Sequence, residues 1–183
     1  MEHKEKSNKG TNKKKKSQEQ IWKERLSSPN QEVVKETIKE IRDFGNVKIL
    51  PFIIEKYARE KDEFVKKELF KLLTDIKYSQ AGEIIFSYIR DDSFRTIRKD
   101  LLSVLWQSAI DFSSYLPELV DIFINEPFDI AFEAFTVIEY IDRPVDKAIA
   151  SQNIDKLKEA LPDMDEQKKF LSVDLVDVLK RWL

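Results

Sequence analysis

The chain contains no cysteine. Disulfides, thiolate metal sites and cysteine nucleophiles are therefore excluded. Its single histidine is His3, so imidazole-based zinc sites and serine–histidine triads lack their parts. Glycine occurs at Gly10, Gly45 and Gly82 only, each isolated, which rules out Walker and dinucleotide loops and argues against the turn-rich β-sandwiches and barrels. No apolar run approaches the about 18 residues needed to cross a bilayer, and no apolar stretch follows the charged N-terminus to make a secretory signal. A cytoplasmic chain without membrane insertion is the expectation. There is no DxDxDG-like calcium loop, so no metal or cofactor is expected.

What is present suits a helix-rich domain: 42% hydrophobic and 36% charged residues in a chain of 183. The net charge of −2 conceals an uneven distribution. Residues 1–16 carry seven lysines and two glutamates, whereas Asp111 to Asp146 holds nine acids against one base, Arg143. Between Met1 and Ile21 no apolar residue occurs, so residues 1–18 read as a disordered Lys-rich tail that cannot offset its ordering entropy by burial. Residues 19–183 read as one helical domain, opening with a short helix at about residues 19–26.

In "SSPNQEVVKETIKEIRDFGN", Ser28 is placed to cap a helix, Pro29 suits its first position, Gln31 has the capping-box spacing, and Gly45 ends it. A second helix, "VKILPFIIEKYARE", follows from Val47, with Pro51 near its first turn. The hairpin then returns. The apolar sets Val34-Ile38-Ile41, Val65-Leu69-Leu72, Ile97-Leu101-Val104 and Ala131-Phe135-Ile138 superpose with steps of 31, 32 and 34 residues. Second helices align as "LPFIIEKY", "GEIIFSYI" from Gly82 and "LPELVDIF" from Leu116. Such a period with two helices per unit is the mark of an α-solenoid. The units span about 28–60, 61–92, 93–127 and 128–162, and the fourth second helix reads as longer and broken. A last helix, 164–183, carries Leu171, Leu175, Val178, Leu179 and Trp182 on one face. It reads as a cap on the open end, with insertion into a partner's groove as the alternative. Asp91 and Asp92 read as helix caps and Trp106 as core or packing between units.

The block "FRTIRKDLLSVLW" (Phe94 to Trp106) resembles the first helix of a HEAT repeat, where an acidic turn precedes an Ile-Arg pair and an apolar helix. The Leu-Pro openings are similar to that family's second helices. The resemblance covers residues 29–141 and weakens beyond Arg143-Pro144. It implies an all-α, right-handed α-solenoid of about four to five antiparallel helix pairs, with second helices lining a concave face. The "WxxLGxxY" pattern of tetratricopeptide arrays is absent. Some HEAT-like proteins are alkylpurine DNA glycosylases that grip DNA in a basic groove, but an acidic body repels phosphate.

With Ile53, Ile85 and Val120 taken as buried, the concave stripe is expected to hold Ile54, Glu55, Glu83, Phe86, Arg90, Glu118, Asp121, Ile122 and Asn125. Three apolar anchors beside acids suit a protein or peptide segment with basic flanks. The expected function is a non-enzymatic, monomeric protein-binding module: adaptor, scaffold or inhibitor. The alternative is attachment to nucleic acid or ribosomes through Lys13, Lys14, Lys15 and Lys16, which is weak and sequence-blind without aromatics for base stacking. A third role for those lysines is to fold back on the acidic 111–146 region.

Overall fold

A computed structural model describes residues 16–183. Among these residues it is all-helical, without strands. The helices are α1 (Gln18–Leu26), α2 (Gln31–Phe44), α3 (Leu50–Arg59), α4 (Glu63–Thr74), α5 (Ala81–Arg90), α6 (Arg98–Gln107), α7 (Leu116–Asn125), α8 (Phe128–Glu139), α9 (Lys147–Ala160) and α10 (Glu166–Leu179), with short 3-10 turns between some of them. None is long and apolar enough to cross a membrane.

Local chemistry sets most of the ends. Ser17 and Gln20 form a capping box at the start of α1, so Ser17 and Gln18 belong to the folded body rather than to the tail. The cap of α2 is Asn30, whose side chain accepts from the Glu32 amide, and the helix starts at Gln31. This corrects the expected start by two residues. Ser28 instead accepts from the Asn30 amide, shaping the turn that precedes the cap. Gly45 does end α2, but with φ −66° it is not in the left-handed region. A glycine is needed there because a Cβ would collide with the carbonyl oxygen of Ile41. Asp91 caps the 3-10 turn Asp92–Ile97 through the Ser93 amide at 2.9 Å. The expected break in the fourth second helix is absent: α9 runs unbroken for 14 residues, with Asp146 capping it through two amides.

The helices fall into two rows by contact. In one, α2 packs on α4, α4 on α6, α6 on α8 and α8 on α10. In the other, α3 packs on α5 and α7 on α9, while α3–α4, α5–α6, α7–α8 and α9–α10 join the rows. Side-chain pairs give the directions. Gln31 meets Asp62 at the starts of α2 and α4 (2.6 Å), and Arg42 meets Asp75 at their ends (2.9 Å). Lys168 near the start of α10 donates to the carbonyls of Ile124 (2.8 Å) and Glu126 (3.1 Å), and Arg181 beyond its end donates to Glu139 O (3.1 Å). Thus α2 and α4 run the same way, as do α8 and α10. The lysine and arginine also satisfy carbonyls orphaned at the ends of α7 and α8.

One continuous core lies between the rows, from Trp22 on α1 to Leu179 on α10. Leu175 and Leu179 are fully buried, and Leu171, Val178 and Trp182 pack partly buried against the same core, so α10 covers α8 and α9. Arg98, 5% exposed, is the core's main charge. Its Nε donates to Ile89 O at 2.8 Å, and its terminal nitrogens pair with Asp92 (2.9 Å) and Glu126. Each of its donors on one guanidinium therefore joins a different segment: the end of α5, the 3-10 turn, and the α7–α8 corner.

Candidate interaction surface

The second-helix stripe does not have the anchors expected of it. Ile54 and Phe86 are completely buried and Ile122 is packed half-buried against the core. The reason is angular. Successive residues on a helix stand about 100° apart, not opposite one another, so the residue after a core position points sideways. In these rows the side of a second helix is covered by its neighbour. Phe86 stacks on Tyr115 from the approach to α7, with ring centroids 3.9 Å apart and planes 7° off parallel.

The polar members of the stripe do find partners, but the partners are other side chains and carbonyls of the same chain. Arg90 donates Nε and Nη2 to the two oxygens of Glu118, both at 2.8 Å, and Nη1 to Glu83 at 2.9 Å. Its guanidinium lies 5.9 Å from the Phe86 centroid. Tyr115 donates its hydroxyl to the other oxygen of Glu83 at 3.0 Å. The Arg90 guanidinium, then the Tyr115 hydroxyl, hold the Glu83 carboxyl below the usual carboxylate range. Burial, followed by Glu83, pushes the Tyr115 phenol up. One step towards the N-terminus, Glu55 accepts from the Tyr88 hydroxyl at 3.1 Å. Burial and then that carboxylate push Tyr88 up to about 12. One step towards the C-terminus, Asp121 pairs with Lys156 of α9, and Asn125 donates to Asp121 O at 2.8 Å, within α7. The stripe is thus a seam that ties α3 to α5, α5 to α7 and α7 to α9. Of the tail lysines, Lys13, Lys14 and Lys15 lie outside the described residues, and Lys16 pairs with Glu24 at 2.6 Å.

The exposed aromatic rings are in the other row. Helix α8 reads "FDIAFEAFTVIE", apolar at eight of twelve positions and without a lysine or arginine. Its neighbours in the row cover fewer positions with apolar residues, as "VKETIKEI" in α2 does. Ile130, Ala131, Ala134, Val137 and Ile138 fill the core. That leaves a surplus: Phe128 half-buried and Phe132 47% exposed, their centroids 6.2 Å apart, with Phe132 6.3 Å from the nearly buried Phe135. Tyr140, 56% exposed, follows the helix and lies 5.4 Å from the ring of Trp106 on α6. Trp106 donates its indole N–H to Glu133 at 3.0 Å. It joins α6 to α8 and is itself half-buried.

Carboxylates surround these rings. Asp129, Glu133, Glu139 and Asp142 all lie within or just beyond α8. The cations near them are Lys99, 3.7 Å from Asp129, Arg143, 3.8 Å from Asp142, and Arg181, whose guanidinium donates to Glu139 O. A cavity of about 230 Å³ opens beside Trp106 and Tyr140, floored by Ile110 and Phe112 and edged by Asp111 and Asp142. The corresponding hollow between the ends of α2 and α4 is larger, about 410 Å³, with Ile41, Ile49, Leu72 and Ile76 on its walls and Arg42 and Lys77 at its edge. The two hollows differ in charge balance: Arg42 and Lys77 against Asp75 at the N-terminal end, Asp111 and Asp142 against Arg143 at α6–α8. Among the described residues no group of three or more carboxylates or histidines is placed to hold a metal ion. Compared with known protein families, curated proteins and solved structures, the chain matches none.

Proposed function

We propose that this chain is a small HEAT-like α-solenoid that works without catalysis, as an adaptor, scaffold or inhibitor, and that it binds its protein partner on the α6–α8 face. The single observation carrying this reading is the pair of exposed rings, Phe132 and Tyr140, with the half-buried Phe128 beside Phe132, set among carboxylates. The solenoid reading draws support from the repeated spacing of the apolar sets and from the side-by-side row α2, α4, α6, α8, α10. Exposed aromatics on a rigid helix give a partner large contact area at low entropic cost, and they dominate the energetics of interfaces. The acids steer and orient rather than anchor. The partner this face suits is a segment presenting one or two apolar side chains to Phe128 and Phe132, with lysine or arginine beside them for Glu133 and Glu139.

The second-helix stripe is a poorer docking surface, because Arg90, Tyr115 and Lys156 already answer its carboxylates. The test is affinity capture in nuclease-treated extract with mass spectrometry, comparing the natural chain with Phe132→Ala/Tyr140→Ala and with Asn125→Ala. A protein captured by the natural chain and by Asn125→Ala, but lost by the double variant, is the expected result. Capture that ignores the double variant overturns the assignment of the face. Capture that disappears with nuclease, or with residues 1–15, moves function to the tail.

A further inference from the structure

Three aromatic rings of the N-terminal half already have cations over them, although Phe44, 75% exposed at the end of α2, is not among them. Lys23 stands 5.5 Å from the Phe52 centroid, Lys35 stands 4.7 Å from that of Phe64, and Lys66 stands 5.3 Å from that of Tyr57. Phe128, Phe132 and Tyr140 have none among the described residues, although they sit in the most acidic part of the chain. The reason is compositional. From Asp111 to Asp146 there is one base, Arg143, and it lies beside Asp142. The α8 face is therefore built like a cation receptor, with rings and carboxylates together, and its own segment supplies almost no cation to fill it.

The same chain carries unused cations. Residues 1–15 hold six lysines and two glutamates, a net +4, against −8 for residues 111–146. We infer that this Lys-rich segment docks on the α6–α8 face of its own molecule, its lysines lying over Phe132 and Tyr140 and against Glu133 and Glu139, where it competes with the external partner. The competition rests on the function proposed above; the self-contact does not. Reach permits it. Four helix-to-helix steps from α1, which the segment precedes, to α8 at about 8–10 Å each make roughly 30–40 Å. Fifteen extended residues span up to about 50 Å, so Lys4 and Lys6 are the lysines with the reach. The segment has no apolar residue after Met1 to anchor it, so the contact is electrostatic and screened by salt. Tethering offsets that weakness, since a short linker holds the segment at an effective concentration of order mM.

The absence of cysteine makes the test clean. Ser7→Cys in the full chain provides a unique site for a nitroxide label, and amide spectra with the label oxidised and reduced report which residues it approaches. At about 10 mM salt, where the Debye length is about 30 Å, the amides of Phe132, Glu133, Glu139 and Tyr140 are expected to lose more than half their intensity. Those of Ile54 and Phe86 keep theirs. At about 1 M salt the α8 signals recover. Glu133→Lys/Glu139→Lys in the labelled chain should abolish the effect at low salt. Unaltered α8 intensities, loss spread evenly over the body, or loss that persists in the double reversal overturn the inference. So does loss that grows with protein concentration, since that is contact with a second copy. No partner enters this measurement, so its failure leaves the partner-binding result standing, and the reverse holds.

Discussion

The second-helix seam and the α8 face contain similar side chains, aromatic rings, carboxylates and a few cations, arranged to opposite ends. In the seam every group turns to another group of the chain: Phe86 stacks on Tyr115, and Arg90 holds Glu83 and Glu118. On α8 the rings of Phe132 and Tyr140 remain open and the cations are few. The difference teaches that residue type does not separate cohesion from recognition. What separates them is whether the neighbouring unit supplies the complement.

The contrast yields measurements that would break it. The largest effect belongs to Phe86→Ala. Truncating a fully buried aromatic stacked on Tyr115 should cost about 3–5 kcal/mol, read as a drop in the denaturant midpoint. A loss under about 1 kcal/mol would mean that Phe86 is not the seam's anchor. A smaller effect is expected from pH. Tyr88 keeps its proton in the folded state up to about 12, against 10.0 for the free phenol. As pH rises between those values the unfolded chain has already lost a proton that the native chain still holds. The stability conferred by Tyr88 is thus intact below 10.0 and lost as pH climbs through about 12. After solvent screening the loss should be about 1 kcal/mol, and Tyr88→Phe should flatten the alkaline limb of urea denaturation. An unchanged limb would detach Tyr88 from the seam. The smallest effect on stability is that of Phe132→Ala, within about 0.5 kcal/mol. A large loss there would make the α8 ring part of the fold and remove the distinction between the two regions.

Much of the helical character was legible in the chain. The 3.6-residue stripes of Val34-Ile38-Ile41 and its counterparts, the Leu-Pro openings and the aspartate caps are local signals, and helices stand at each of those places. The surplus of phenylalanine in "FDIAFEAFTVIE" was also readable: more apolar residues stand there than one core-facing stripe can absorb, and no lysine interrupts them. That signal points to Phe128 and Phe132, which the expectation of a concave groove passed over. Burial of Ile54 and Phe86 had no such signal. An apolar residue beside the core stripe looks the same in sequence whether its flank is open or covered.

By itself, then, the sequence determined an all-helical chain with recurring apolar sets, the capping role of Asp91, and a separation of charge between the lysines of residues 1–16 and the acids of 111–146. These rest on near-neighbour geometry and composition, which the chain carries before it folds. Only the tertiary structure decided that Phe86 is covered while Phe132 is open, and that Arg90, Glu118 and Glu83 answer one another across helices. The flank of a helix about 100° from its core line is buried or exposed according to which helix lies beside it. That is a property of the packed array, and no single segment contains it.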